Sequence, residues 1–597
     1  MFQSFESLTR PEQGPPRLAA LREAMVAEGV DAFLVPRADA HQGEYVAPRD
    51  ERLAWLTGFT GSAGFCAVLA DQAGLFVDGR YTLQAGQQVD SAAFTPVPWP
   101  QTKLADWLSE RLPGGGTVGF DPWLHTVREI ADLRAKGEDH GITCRESINL
   151  VDATWPDQPG PPRGAFRVHP DSLAGESHAD KRARLAAELA HAGHGAAVLT
   201  SPDSIAWLLN IRGSDIRCNP VPHAFALLHE TGLVELFADP AKLTAEVRAH
   251  LGKDVALHPP EAFAGRLSEL TGPVRIDPAS APVAVERALP EPVHGPDPCL
   301  LPKARKTPAE IAGMEAAHLR DAAAMCRFLA WLDEAAPTGA LTEIDVVTRL
   351  EEERRRAAEL VEISFDTICG AGPHGAIVHY RVTQETNAPV TPGELLLIDS
   401  GGQYVDGTTD ITRTVATGPV TDAQRAAFTQ VLKGLVAIHR ARWPRGLAGR
   451  DLDALARIAL WRAGRDYDHG TGHGVGAALS VHEGPQRLSR VSDVALEPGM
   501  VLSNEPGYYR AGEWGIRLEN IVHVVPAAEL EGGDAREMLA FANLTWVPID
   551  RRLVDRDMLD RDEAAWCDAY HAEIRARVGP LVEGAVADWL ARATAPL

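Results

Sequence analysis

The chain has no C-x-x-C pair, no long apolar run and no excess of basic residues, and each absence removes a class of protein. Its seven cysteines (Cys66, Cys144, Cys218, Cys299, Cys326, Cys369 and Cys567) are odd in number and widely spaced. That excludes a disulfide framework or a zinc knuckle and fits reduced thiols in a cytoplasmic protein. No apolar stretch approaches the ~20 residues that cross a bilayer. The opening MFQSFESLTRPEQGPP lacks the apolar centre of a secretory signal, so no membrane partner is expected. Lys and Arg number 58 against 82 Asp and Glu, a net charge of −24, which argues against nucleic acid as the main partner. What is present is ordinary globular composition, 45% hydrophobic and 23% charged, in 597 residues. That length predicts roughly three to five domains.

The first half repeats itself. Glu51-Arg-Leu-Ala-Trp55-Leu-Thr-Gly-Phe-Thr-Gly61-Ser62 matches Asp203-Ser-Ile-Ala-Trp207-Leu-Leu-Asn-Ile-Arg-Gly213-Ser214, 152 residues later. In both places a helical stretch (Leu18 to Glu28; Lys181 to Ala190) leads into a short apolar strand (32–35; 196–199) and then the Trp segment. This pattern predicts two copies of one α/β domain. The proline-dense stretches 155–162 and 289–298 read as linkers without regular structure. After them Thr307-Pro-Ala-Glu310 forms a capping box with proline at the first helical position. A second helix is predicted over Glu343 to Ala358, and its Glu351-Glu-Glu-Arg-Arg-Arg356 run reads as a solvated face. From Ile363 to Val525 the chain is rich in strands and glycine. The tail is predicted to hold a short strand, Leu544 to Pro548, and helices around Glu563 to Ala591.

Five residues with metal-ligand chemistry lie in order along the last 40% of the chain: Asp399, Asp410, His473, Glu505 and Glu519. An apolar strand runs into Asp399, and a glycine-rich turn leads to a strand on which Asp410, Thr412 and Thr414 share a face. Two neighbouring buried carboxylates repel each other and lose hydration, so either one binds a proton or a cation sits between them. His473 lies in His469-Gly-Thr-Gly-His473-Gly-Val-Gly476, where four glycines open the backbone to close approach, and His482 follows. Glu505 sits in Asn-Glu505-Pro-Gly-Tyr-Tyr509 and Glu519 in Gly515-Ile-Arg517-Leu-Glu519-Asn. Four carboxylates with one imidazole suit a pair of divalent metals and hydrolytic chemistry.

Together the D-x10-D pair, the HGTGHGVG loop, NEPGYY, GIRLEN and Gly372-Pro-His-Gly-Ala-Ile-Val-His379-Tyr resemble the pita-bread metallopeptidases, which include methionine aminopeptidase, prolidase and aminopeptidase P. The repeat, Asp78-Gly-Arg-Tyr81 and the tail make the three-domain Xaa-Pro aminopeptidases the nearest resemblance. It implies an α/β and α+β chain: two creatinase-like N-terminal domains (1–155 and 160–298), a pita-bread catalytic domain (300–530) and a C-terminal extension (531–597). It implies two divalent metals, with Mn2+ favoured by the oxygen-rich set. Asp399 would chelate one metal, His473 the other, Asp410 and Glu519 would bridge, and Glu505 would complete the site and act as general base to a metal-bridging hydroxide. His379 and His482 would stabilise the transition state. His469, Tyr509 and Arg517 would form or support the pocket for proline. The implied substrates are peptides with proline second, and the implied assembly is a cytoplasmic homodimer. A prolidase cleaving X-Pro dipeptides has the same metal set but one N-terminal domain, and a catalytically silent binding module of the same fold would lack the ligands.

Overall fold

The computed structural model describes residues 1–597. The chain divides into two compact units, Leu8–Leu300 and Met1–Ser7 with Leu301–Leu597. No helix is long and apolar enough to cross a membrane.

The Leu8–Leu300 unit holds two six-stranded sheets. The first comprises β1 (Ala32–Pro36), β2 (Phe65–Leu69), β3 (Ala73–Val77), β4 (Thr95–Pro98), β5 (Gly116–Phe120) and β6 (Ile142–Glu146), in the order β4-β3-β2-β1-β5-β6. The second comprises β7 (Ala196–Leu199), β8 (Phe225–His229), β9 (Val234–Phe237), β10 (Val255–His258), β11 (Val274–Ile276) and β12 (Pro292–His294), in the order β10-β9-β8-β7-β11-β12. The two orders are the same topology. β1 runs antiparallel to β2 and parallel to β5, as β7 does to β8 and β11. Helix α1 (Gly14–Glu28) feeds β1 just as a later helix, His178–His191, feeds β7. The Trp segments form α2 (Arg52–Thr57) and α3 (Pro202–Leu209), closed by the left-handed residues Gly58 (φ 86°) and Asn210 (φ 48°). Glycine and asparagine are the residues that tolerate that cap, which explains why the repeat differs there in sequence and not in form. Trp55 and Trp207 are both buried. One expectation fails here. The proline-dense stretch 289–298 is not wholly irregular, since Pro292–His294 is the edge strand β12, paired to β11. An edge strand needs hydrogen bonds on one side only, so a proline at its first position costs no ladder bond.

In the other unit α4 (Pro308–Ala335) begins with the capping box at Thr307 and Glu310. α5 (Glu343–Arg354) packs against it. The expected solvated face exists only in part: Glu352, Arg355 and Arg356 are exposed and Arg355 lies 3.9 Å from Glu351, but Glu351 is 3% exposed, Glu353 1% and Arg354 1%. Glu351 accepts the backbone N–H groups of Phe2 and Gln3, Glu353 meets Arg327, Arg349 and Arg356, and Arg354 meets Asp321 at 2.7 Å. Arg349 and Arg356 are local partners, but Phe2, Gln3, Arg327 and Asp321 come from elsewhere in the chain, and local i,i+4 charge spacing hid them. A three-stranded antiparallel sheet, β13 (Ile368–Ala371), β14 (Leu395–Ser400) and β15 (Ile411–Ala416), has β14 at its centre. A six-stranded sheet contains β16 (Arg442–Pro444), β17 (Gly472–Gly474), β18 (Glu483–Leu488), β19 (Val501–Asn504), β21 (Asn520–Pro526) and β22 (Met538–Asn543). Between β19 and β21 a hairpin ends in β20 (Trp514–Arg517). The tail strand is β22, not the expected 544–548, which is irregular. The carbonyls of Val547 and Pro548 are taken by the Arg413 guanidinium and those of Thr545 and Val547 by the Tyr570 hydroxyl, so side chains replace the ladder.

Candidate metal centre

The β14–β15 register sets Asp399 opposite Thr412, with Asp410 immediately before β15. Glu505 follows β19 directly, and Glu519 lies between β20 and β21. Strand ends from two sheets thus deliver carboxylates to one place. Possible ligand atoms of Asp399, Asp410 and Glu519 lie within 4.8 Å of one another, as do those of His473, Glu505 and Glu519. A third such group is Asp410, His473 and His482. The five residues singled out for metal therefore converge, with His482 beside them.

Small residues make the convergence sterically possible. A Cβ on Gly472 would fall 1.9 Å from the Ser503 carbonyl oxygen, so only glycine lets β17 lie this close to β19. Ser503 then accepts the His473 N–H at 2.9 Å and donates to Glu505 Oε1 at 3.2 Å. Thr412 donates to Glu519 Oε2 at 2.9 Å. His473 Nδ1 meets the Gly474 carbonyl at 3.0 Å, which places the proton on Nδ1 and turns Nε2 inward, 3.5 Å from both Asp410 and Glu505.

The electrostatics are unbalanced. Asp399 is 8% exposed, Asp410 3% and Glu519 1%. Against four carboxylates stand one guanidinium, Arg517, bonded to Asp399 Oδ2 at 2.6 Å, and the His473 imidazole. Burial, partly opposed by Arg517, pushes the Asp399 carboxyl up to about 6. Burial first, then the neighbouring carboxylates, raise Glu519 well above the usual range, and burial raises Glu505. His473 is raised to about 9, its desolvation outweighed by Asp410 and Glu505. Three buried oxygens, Asp399 Oδ1, Asp410 Oδ1 and Glu519 Oε1, have no hydrogen-bond partner. Orphaned acceptors of this kind are rare in folded proteins. Hard anionic oxygens aimed at one space, with an inward imidazole nitrogen, are the donor set of divalent cations, so the residues fit a metal pair.

Of the remaining site candidates, His469, Tyr509, Arg517 and His482 connect to the centre. Tyr509 OH lies 2.9 Å from His469 Nε2 and accepts from Arg517 at 2.8 Å. The His482 ring meets His473 edge-on, centroids 4.3 Å apart. His379 is half-buried, three residues past the turn Gly372–Ala376. That turn packs directly on β20: a Cβ on Gly515 would fall 1.7 Å from the Gly375 carbonyl oxygen.

The comparisons agree region by region. Residues 312–526 match the model of metallopeptidase family M24, and 537–597 match the C-terminal region of peptidase M24. Residues 17–153 and 157–310 each match a creatinase/prolidase N-terminal domain. Aminopeptidase P2 of Arabidopsis thaliana is 40% identical, over 95% of this chain and 86% of its own. The chain belongs to the aminopeptidase P family of M24 metallopeptidases. A probable Xaa-Pro aminopeptidase P of Aspergillus clavatus is 39% identical over 97% of this chain and 92% of its own. The crystal structure of X-prolyl aminopeptidase from Caenorhabditis elegans, described as a cytosolic enzyme with a di-nuclear active site, superposes with a TM-score of 0.93. It is 34% identical and covers 98% of this chain and 99% of its own.

Some residues that shape this aminopeptidase P site escaped the sequence reading. Asp453 and Arg457, on the helix α6 (Gly449–Trp461), look like an ordinary surface pair at i,i+4. Both are buried instead, 2.7 Å apart, and they hold the glycine loop. Arg457 donates to the carbonyls of Tyr467 and His469, and Thr471 donates to Asp453. Behind the same loop Lys303 and Lys306 both bind Glu483, next to His482. The only sequence signal was charge within otherwise apolar segments.

Proposed function

We propose that this chain is a two-metal aminopeptidase that releases the N-terminal residue from peptides with proline in second position. The observation that carries this is the set of orphaned carboxylate oxygens on Asp399, Asp410 and Glu519 at a centre that the fold leaves with excess negative charge. Asp399, Asp410, His473, Glu505 and Glu519 would hold two divalent cations, with Mn2+ favoured by four oxygen donors and one nitrogen. Such a pair supplies a water activated as nucleophile near neutral pH.

The protein's own groups do the rest. Glu505, raised by burial and tied to Ser503, takes the proton of the attacking water. His482, packed on His473, donates to the substrate carbonyl oxygen as it gains charge, and His379 stabilises the same state. Tyr509, fixed between His469 and Arg517, forms one wall of a pocket for the proline ring. Arg517 also holds Asp399 charged by its hydrogen bond. A proline amide has no N–H and a fixed φ, so it suits a shaped pocket better than a site reading an extended backbone.

The domain division 1–155, 160–298, 300–530 and 531–597 belongs to this reading, as do a cytoplasmic location and a homodimeric assembly. Analytical ultracentrifugation tests the assembly: a species of twice the 64.2 kDa chain mass is expected. Release of the first residue from an X-Pro-Pro tripeptide, with and without Mn(II), tests the function. Hydrolysis of X-Pro dipeptides in preference to the tripeptide would instead make it a prolidase. Absence of release with any divalent metal would remove both.

A further inference from the structure

His379 sits in a long segment without helix or strand, and something must fix it. The segment between β13 and β14 contains only the short turn at Gly372–Ala376. Its two ends meet at one side chain. Glu343, the first residue of α5, is fully buried at 0% exposure. Its Oε1 accepts the Ala371 N–H at 2.8 Å and its Oε2 accepts the Ala388 N–H at 3.0 Å. Between those ends it also binds His374 Nδ1 at 2.9 Å and the Tyr380 hydroxyl at 3.0 Å.

The grip is reciprocal. The Glu343 N–H donates to the Ala388 carbonyl at 3.0 Å, and the Ile344 N–H to Asn387 Oδ1 at 3.1 Å. Those are two of the four N–H groups that a helix leaves without partners at its start. The loop therefore caps the helix while the helix residue ties the loop. A carboxylate in the first turn is also favoured by the helix dipole, which helps explain how Glu343 remains buried with no Lys or Arg beside it. Tyr380 is next to His379 in the chain, and its hydroxyl is anchored by Glu343 and by Thr386. On the outer side Arg381 donates to the Ser4 and Glu6 carbonyls, and the Gln384 N–H to that of Phe5. These bonds hold the far half of the segment, leaving Glu343 as the group that joins its two ends.

We infer that Glu343 is a positioning residue for the peptidase reaction: it closes the 371–388 loop and thereby sets His379. This rests on the reading of His379 as a transition-state contact. A charge buried at this density of donors is more than the helix needs, since Thr342 already supplies its N-cap bond to Asp345. Small displacements of a catalytic group cost large factors in rate, about 100-fold for about 1 Å.

The test is steady-state kinetics of the full chain loaded with Mn(II), on an X-Pro-Pro peptide, together with metal content. Glu343→Ala is expected to lower kcat by about 100-fold, with parental metal content and less change in KM. Glu343→Gln keeps one acceptor oxygen for Ala371 and His374 and is expected to fall between the two. The decisive comparison is the cycle with His379→Ala. If Glu343 acts through His379, the double variant is no slower than His379→Ala alone. Multiplying losses, or a parental rate in Glu343→Ala beside a slow His379→Ala, would overturn the inference and leave the reading of His379 intact. A parental rate in His379→Ala would overturn both. Should Glu343→Ala not fold, Tyr380→Phe removes one tie and runs the same cycle, with the same two outcomes deciding it.

Discussion

Buried charge is arranged in opposite ways in the Leu8–Leu300 unit and at the metal centre, although the catalytic unit also holds matched pairs such as Arg354 with Asp321. Within Leu8–Leu300 buried ions form matched pairs: Lys242 meets Asp215 at 2.9 Å, and Arg52 meets Asp50 at 2.8 Å and Asp152 at 2.6 Å. In the catalytic unit four carboxylates share one guanidinium and one imidazole, and three of their oxygens bind nothing. A matched pair is complete within the fold and serves stability. An unmatched cluster is complete only with something from outside, and so serves chemistry.

The largest expected effect sharpens that contrast. Asp410→Asn should reduce peptide hydrolysis by about 1,000-fold or more, equivalent to about 4 kcal/mol of barrier. The metal-free form of this variant should be no less stable than the metal-free parent, because one repelling charge is gone. Urea unfolding of both in chelator checks this, and a large loss of stability would break the comparison. The mirror experiment is Asp215→Asn, which strands Lys242. It should cost about 3–5 kcal/mol by urea unfolding, while kcat per folded molecule stays parental.

Stripping the metals from the parent with a chelator should abolish turnover and lower stability. The loss should be about 4 kcal/mol for each ion removed, relative to protein with free metal at a thousand times that site's dissociation constant. Calorimetry at several Mn(II) concentrations measures it as a rising Tm.

A smaller effect concerns pH. His571 is buried and His439 half-buried, and both are held at about 4, in each case mainly by desolvation. Their value in the unfolded chain is about 6.5. Between about pH 6.5 and 4 the unfolded state binds protons that the folded state refuses, so stability is intact above 6.5 and falls as pH is lowered through that window. The limiting slope is about 1.4 kcal/mol per pH unit for each histidine. The raised carboxyls of the metal-free centre act in the opposite direction, so the change between pH 7 and 5 is compared, by urea unfolding of chelated protein, in the parent and in His439→Gln; the variant should be the less destabilised by acid of the two.

Much of this was legible in the sequence, for definite reasons. The duplicated sheet was visible because helix, strand and Trp segment recur at one spacing, with Gly58 and Asn210 filling the same left-handed cap. The convergence of Asp399, Asp410, His473, Glu505 and Glu519 was visible because each stands at a strand end or in a glycine loop, where a lone buried charge has no local explanation. What escaped were partners distant in the chain. Glu351 and Arg354 sit in a run that local spacing assigns to solvent, yet they bind the first residues of the chain and Asp321. Glu343 reads as an ordinary first-turn acid, and only the structure shows the loop ends it holds. Residues 544–548 read as a strand by composition, but Arg413 and Tyr570 take the carbonyls a ladder would use.

The central claim is that the unmatched carboxylates exist to hold two metals that the peptidase reaction needs. Its most direct test is the rate of residue release from an X-Pro-Pro peptide as metal is returned to chelated protein, with bound Mn(II) per chain measured in parallel. The expected result is no turnover in metal-free protein and a rate that rises until two ions are bound per chain. Full turnover without metal, or none at two ions per chain, would contradict it.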